Sequence, residues 1–401
     1  MFKFGNYMSE ANQLPLLGVK IIEFTHMVMG PTVGVILGDL GADVIKVEPI
    51  GGDNTRRLVG SGAGYFPMYN RNKKSIELNL KSVKGLEIAH NLIKGADIVI
   101  ENFRPGAMEK LGLGYNELKE INDKLIYCSE KGFLNGPYAN RTALDEVAQM
   151  MGGLAYMTGE PGKPTRAGAS VIDVMGGMFG VIGILAALKQ RENNGKGQYV
   201  QSSLYESTVF LMGQHMAQYS VTGKAAAPMP ARISAWAIYQ VFDTKDNQQV
   251  FIGVVSDKQW EDFCKSFNLD DLLNDPSFLS NTDRVNNKEK LIPMVKSVFK
   301  NYTKQDLMEK LEHTGLPFAP ITEPIELFND PHLNSSKGLV ELNLPDGGKT
   351  NLPTLPIEMS GRKMGVRHDL PDIGEHTDSI LSETGFSNDE IAELRSKGII
   401  G

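Results

Sequence analysis

Through the first two hundred residues, short β-branched runs take turns with longer stretches in which apolar positions recur every three or four residues. The runs 19–23, 43–47, 75–78, 97–100, 124–127 and 198–202 have the length and composition of strands. Between them, 31–40, 82–94, 115–122 and 174–190 carry the helical period. Strand and helix in alternation mark βαβ units, so the pattern predicts a mostly parallel sheet. Asn193-Asn-Gly-Lys-Gly197 supplies a C-terminal stop for the last of these helices.

The pattern changes near Trp236. Positions 237–242 and 249–255 read as a hairpin joined by Asp243-Thr-Lys-Asp-Asn247, and helical periods follow at 256–268, 285–300 and 303–314. Pro317 to Pro324 is proline-rich and reads as a linker. The tail holds a strand-like 338–342, a turn at Pro345-Asp-Gly-Gly348 and a charged amphipathic helix over 387–397. The expected organisation is α/β: a large domain over 1–200, a connecting helix and linker over 201–235, a smaller α+β domain over 236–325, and a C-terminal segment, 326–401, that returns to the large domain. No internal repeat is visible.

Composition narrows the function. A chain of 401 residues with 41% hydrophobic and 22% charged content is a soluble globular protein large enough for two or three domains. Its net charge of −7 argues against nucleic-acid or membrane-surface partners, so an anionic ligand requires a local basic patch. Two cysteines, Cys128 and Cys264, form neither a disulfide framework nor a zinc site and read as core thiols in a reducing compartment. The first ten residues lack an apolar signal core, which points to the cytoplasm. The seven histidines have no metal-ligand spacing, and no G-x-S-x-G elbow or P-loop occurs.

Asp173 is the only charge in the apolar run 171–188. An ionised carboxylate costs several kcal/mol when it leaves water without a partner, so it is either a helix cap or a reactive group. Glycines 176, 177, 180 and 183 follow and suit the close approach of another backbone or a ligand. Asp145 opens another predicted helix. If it faces Asp173, the two carboxylates push their pKa values apart. After the first strand, Phe24-Thr-His-Met-Val-Met-Gly-Pro31 leads to a helix, a second strand and Glu48, a dinucleotide-like layout. The G-x-G-x-x-G turn is missing, which argues against NAD or FAD. Arg56, Arg57, Arg71, Lys73, Lys74, Lys81, Arg104 and Lys110 gather in the first third and suit a phosphate-rich ligand if they converge. Asn102 and Arg104 follow a strand at the edge where open α/β sheets bind ligands.

Taken together, Leu17-Gly-Val-Lys-Ile-Ile-Glu-Phe-Thr-His26, Gly41-Ala-Asp-Val-Ile-Lys-Val-Glu-Pro49, Asn72-Lys-Lys-Ser-Ile-Glu-Leu78, Glu101-Asn-Phe-Arg-Pro-Gly106, the stretch from Thr158-Gly-Glu-Pro161 to Asp173, Gly195-Lys-Gly-Gln198 and Gly374-Glu-His-Thr-Asp378 resemble the class III (CaiB/BaiF-type) coenzyme A transferases. The resemblance implies a Rossmann-like large domain, an interlocked homodimer, an acyl-CoA donor and a carboxylic acid acceptor, with no metal or prosthetic group. It makes Asp173 the nucleophile, carrying the acyl group as an anhydride and then CoA as a thioester, with Asp145 beside it. It assigns CoA contacts to His26, Val28, Met29, Leu78, Lys81, Asn102, Phe103, Arg104 and Lys110. Two departures stand out. Val28 replaces a glutamine of the oxalate enzymes, and 228–236 replaces their mobile glycine run, with Arg232 available there to an acceptor carboxylate. Two alternatives share the fold: a 2-methylacyl-CoA racemase, which carries a histidine where this chain has Leu144, and a silent CoA-binding protein.

Overall fold

The computed structural model describes residues 14–401 except Ile233, Pro345 and Asp346. The N-terminal ten residues and Pro345-Asp346 of the expected turn therefore lie outside the described residues. Six strands form one parallel sheet: β1 (Lys20–Phe24), β2 (Asp43–Glu48), β3 (Lys73–Glu77), β4 (Ile98–Glu101), β5 (Ile126–Lys131) and β6 (Gln198–Ser203), in the order β3-β2-β1-β4-β5-β6. Among the helices that cover the sheet faces and frame the site are α1 (Met29–Asp39), α2 (Val83–Lys94), α3 (Asp145–Met151), α4 (Val171–Asn194) and α5 (Leu204–Thr222). Both sheet faces are covered, so Ile98, Val99 and Ile100 of β4 are all buried, whereas β3 and β6 carry mostly polar residues. Alternate residues of β1 serve opposite cores: Ile21 packs with Val33, Leu37 and Val181 of α1 and α4, and Ile22 with Ile88 and Leu92 of α2. Cys128 and Cys264 are both buried and unpaired.

Helix α4 is long and apolar enough to cross a bilayer, yet it lies against α1 and the β5–β6 edge. Its glycines permit that approach. A Cβ on Gly177 would sit 2.7 Å from the Met29 carbonyl oxygen, and one on Gly176 would sit 2.5 Å from Met29 Cε. The helix ends as its sequence predicts. Gly195 takes φ 69° and sends its N–H to the Arg191 carbonyl.

The chain separates into two compact units: residues up to Pro230 with His332–Gly401, and Ala231–Pro331. In the larger, the C-terminal segment docks on β3. There the His376 N–H donates to Ser75 O at 3.0 Å, and Glu77 N–H to Thr377 Oγ1 at 3.2 Å. The smaller unit packs Trp260, Phe263, Phe299 and Leu307 against an antiparallel sheet of Tyr239–Asp243, Gln249–Gly253 and Phe318–Pro320. The last strand corrects the linker expected at 317–324. Prolines remove backbone donors, but an edge strand loses nothing by that on its open side, and Phe318–Pro320 pairs with only one neighbour.

Candidate active site

The strand order reverses between β1 and β4, the place where open parallel sheets leave a crevice at the carboxyl ends of their strands. A cavity of about 710 Å³ occupies it, walled by Thr25 and His26 after β1, Pro49 after β2, Leu78 and Lys81 after β3, and Phe103 after β4. The loop after β1 is pinned from below. Lys46 Nζ donates to Thr25 O at 2.7 Å, and the Asn102 carboxamide accepts from His26 N–H at 3.0 Å while donating to His26 O at 2.8 Å. Met27 sits at φ 63°, a conformation unusual for a residue with a side chain, and its N–H reaches Thr55 Oγ1 at 3.0 Å. The imidazole of His26 stacks on Phe103 with centroids 5.7 Å apart. Its pKa lies below the ordinary value because enclosure by protein, helped by Lys46, outweighs the pull of Asp53. The ring is therefore neutral at pH 7.

Beyond His26 and Met27, which line both spaces, lies a second cavity of about 300 Å³. Val28, Met29, Leu144 and Leu204 give it apolar walls, and Asp145 and Asp173 an acidic end. Neither aspartate is an N-cap. Ser170 stands at the N-cap position of α4 and Leu144 at that of α3, neither with a capping side-chain bond, which places Asp173 inside the first turn of α4 and Asp145 at the first position of α3. The capping runs across elements instead. Asp145 Oδ2 accepts from the Ile172 N–H at 2.9 Å and the Asp173 N–H at 3.2 Å, satisfying two open donors of α4. Asp145 is held in turn by Gln149 Nε2 and by Arg166 Nη2 at 3.3 Å. Arg166 also pairs with Glu146 and donates to the Ala169 carbonyl at 3.1 Å. A buried carboxylate thus aims the residue that carries the other one.

The electrostatic consequence falls on Asp173. Burial, then the charge of Asp145 and then that of Glu146, pushes its pKa up to about 7 against the opposing pull of Arg166. Such a carboxyl is more basic, and as an anion more nucleophilic, than one in water.

The basic cluster divides. Arg71 is buried against Asp39 at 2.6 Å, Lys73 against Glu23 at 2.9 Å, and Arg56 against Glu48 at 2.6 Å. Lys74 pairs with Asp43, and Arg57 donates to Gly51 O at 2.7 Å. These five brace the fold rather than converge on a ligand. Glu48, placed as a ribose-holding acid would be, is likewise occupied by Arg56, by Ser75 Oγ at 2.6 Å and by the Asp53 N–H at 2.8 Å. Of the other three, Lys81 lines the larger cavity, while Arg104 and Lys110 are exposed and line neither. Leu78 and Phe103 wall the first cavity, and Val28, Met29, Asn102, Asp145 and Asp173 the second. Arg232 belongs to the smaller unit, where it lines a surface hollow. Among the described residues no group of His, Cys, Asp and Glu could hold a metal ion. Sequence reasoning missed Gln149 and Arg166. Gln149 stands four residues after Asp145, the spacing of neighbours on one helix face, and that was its available signal.

A sequence profile described as CoA-transferase family III matches residues 16–377. Succinyl-CoA:glutarate CoA-transferase of Homo sapiens is 34% identical over 99% of this chain and 92% of that protein. Acetyl-CoA:oxalate CoA-transferase of Acetobacter aceti is 36% identical over 86% of this chain and 90% of that protein. The crystal structure of a CAIB/BAIF family protein from Brucella suis matches with a TM-score of 0.82 at 34% identity, covering 92% of this chain and 99% of that one. The chain belongs to CoA-transferase family III and is a transferase enzyme.

Proposed function

We propose that this enzyme moves coenzyme A from an acyl-CoA donor to a short carboxylic acid, with Asp173 carrying each group in turn. The observation that carries the proposal is a cavity in which a raised-pKa aspartate on a helix start is aimed by a second carboxylate. The larger cavity suits CoA, with Lys81 at its rim for phosphate, and the smaller one suits the acyl group. Asp173 attacks the thioester carbonyl, the C–S bond breaks, and an acyl-aspartyl anhydride and CoA thiolate result. The thiolate attacks the aspartyl carbonyl and releases the first acid. The acceptor carboxylate attacks the aspartyl-CoA thioester to form a new anhydride, and the returning thiolate takes the new acyl group and frees Asp173. Each step exchanges one activated acyl bond for another and needs no metal, redox group or prosthetic cofactor. Relatives named for glutarate and oxalate as acceptors support a small, oxygen-rich acid.

The working unit in this proposal is a homodimer in the cytoplasm. Met178 and Ile182 of α4 and Phe210, Met216 and Val221 of α5 are at least half exposed, an apolar surface that a second copy can cover. A racemase would need a proton shuttle where Leu144 stands, and leucine has none.

Incubation with succinyl-CoA or acetyl-CoA followed by hydroxylamine should leave a hydroxamate on the peptide that contains Asp173, and none in Asp173→Ala. Turnover without that adduct would remove Asp173 from the covalent role, and CoA binding with no transfer to any acid would indicate a silent binder.

A further inference from the structure

Met27 holds a backbone conformation that few residues with a side chain adopt, φ 63°, and it does so at the rim shared by the two cavities. Such a conformation persists only where its surroundings impose it. The neighbours are fixed on both sides. His26 is clamped through its N–H and its carbonyl by the Asn102 carboxamide, and Val28, 1% exposed, accepts from the Thr32 N–H at 2.9 Å as α1 begins. A change of φ is therefore taken up at Met27 itself and re-aims its side chain, which borders both cavities.

What holds Met27 is a chain of side chains that takes no part in the covalent steps. Thr55 Oγ1 accepts from the Met27 N–H at 3.0 Å and donates to Asp53 Oδ1 at 2.8 Å, and the same Oδ1 accepts from the Thr55 N–H at 2.8 Å. Asp53 Oδ2 pairs with Lys46 Nζ at 3.1 Å, and Lys46 also donates to the Thr25 carbonyl at 2.7 Å. Burial works against the Asp53 charge, but Lys46 and the two bonds from Thr55 outweigh it and hold the pKa below the ordinary value. An ionised carboxylate only accepts, so the Thr55 proton goes to Asp53 and a lone pair of its oxygen is left for Met27. Thr55, Asp53 and Lys46 are all buried, which shields these bonds from water.

We propose that Thr55 is a positioning residue for acyl transfer: backed by Asp53, it holds Met27 in the left-handed conformation that keeps the way from the larger cavity to Asp173 open to the acyl group. This rests on the transferase reading, with CoA in the larger cavity and Asp173 as carrier.

The test follows the single-turnover rate at which acyl-Asp173 forms from saturating succinyl-CoA or acetyl-CoA, trapped with hydroxylamine, beside the Kd for free CoA by calorimetry. Thr55→Val keeps the size of the side chain and removes the acceptor. It should slow acyl transfer roughly tenfold, the effect of one buried hydrogen bond, and change the Kd by less than about twofold. Thr55→Ser, which keeps the hydroxyl, should retain most of the rate. Glycine adopts positive φ freely, so in a Met27→Gly background the loss caused by Thr55→Val should shrink to about twofold, which a general role in packing would not produce. Equal losses in both backgrounds overturn the proposal, as does a valine variant with the wild-type rate, or one whose Kd rises as much as its rate falls. A valine variant that folds only beside Met27→Gly supports the coupling, and one that folds in neither background overturns it. No hydroxamate from the wild-type enzyme is a different result: it defeats the transferase reading, and the proposal falls with it.

Discussion

Asp173→Asn removes a charge that the fold holds at a cost, and the effect is measurable without any substrate. An ordinary aspartate titrates near 3.8, and Asp173 titrates at about 7. At about 1.4 kcal/mol per pH unit, a gap of that width corresponds to roughly 4 kcal/mol. Asp173 is only partly buried and borders a cavity, so solvent screening leaves about 1–2 kcal/mol. The sign follows from linkage. Between pH 4 and 7 the unfolded chain has lost a proton that the folded chain keeps, so wild-type stability falls as pH rises through this window. Below pH 4 both states are protonated and the penalty vanishes; above pH 7 it is complete. Asparagine matches the size of aspartate and does not ionise. Thermal unfolding of both proteins should therefore give equal Tm near pH 4 and a variant more stable by about 1–3 °C at pH 8, with the difference opening between those values. A difference that is flat with pH, or a variant less stable at pH 8, would refute the claim that Asp173 is held ionised against its surroundings.

Asp145→Asn removes the second-largest cause of the raised Asp173 pKa while keeping an acceptor for the two α4 amides, so the acid limb of the pH–kcat/KM profile should move down by about one pH unit; an unmoved limb would leave Asp145 a purely geometric role. Gly177→Ala would place a methyl 2.7 Å from the Met29 carbonyl and should lower stability by about 1–3 kcal/mol in urea unfolding; wild-type stability there would mean that α1 and α4 can separate freely. Lys81→Ala should weaken CoA binding by about three- to tenfold by calorimetry, the loss of one exposed phosphate contact, with little change in kcat; equal affinity would place the phosphates elsewhere. Phe210→Asp and Val221→Asp put charges on the apolar face of α5, 72% and 85% exposed in the single chain, and should shift the mass in solution from dimer toward monomer; a monomeric wild type would contradict the homodimer.

The parallel sheet was legible because β1, β2 and β4 carry the β-branched residues that a two-sided core demands, and the periods between the strands locate the helices to within a turn. What periodicity could not show was which charges are structural. Arg71 and Lys73 look like surface cations in the sequence, but their partners, Asp39 and Glu23, stand 32 and 50 residues away. The aspartates were recognisable as the chemistry, yet the direction of capping was not, because Asp145 reaches amides 27 and 28 residues further along. Phe318–Pro320 was unreadable for a similar reason. A three-residue edge strand draws its support from Gln249–Gly253 across the sheet rather than from its own composition.

The same distance in sequence explains how the site keeps its shape. The start of α4 is fixed by α3 through Asp145, and the flank of α4 is fixed by α1 and β5 through glycines that admit Met29 and the Glu130 carboxyl. Asp173 therefore stands where three elements meet on the one helix whose small residues let all of them come close. A larger residue at 176, 177 or 180 would push back Met29 or Glu130, which wall the smaller cavity, and under the proposed mechanism would change the distance from Asp173 to the acyl group. Burial that raises the basicity of Asp173 and packing that sets the width of the smaller cavity are then consequences of one helix start, so that in the proposed transfer its glycines shape the site although none of them carries a reactive atom.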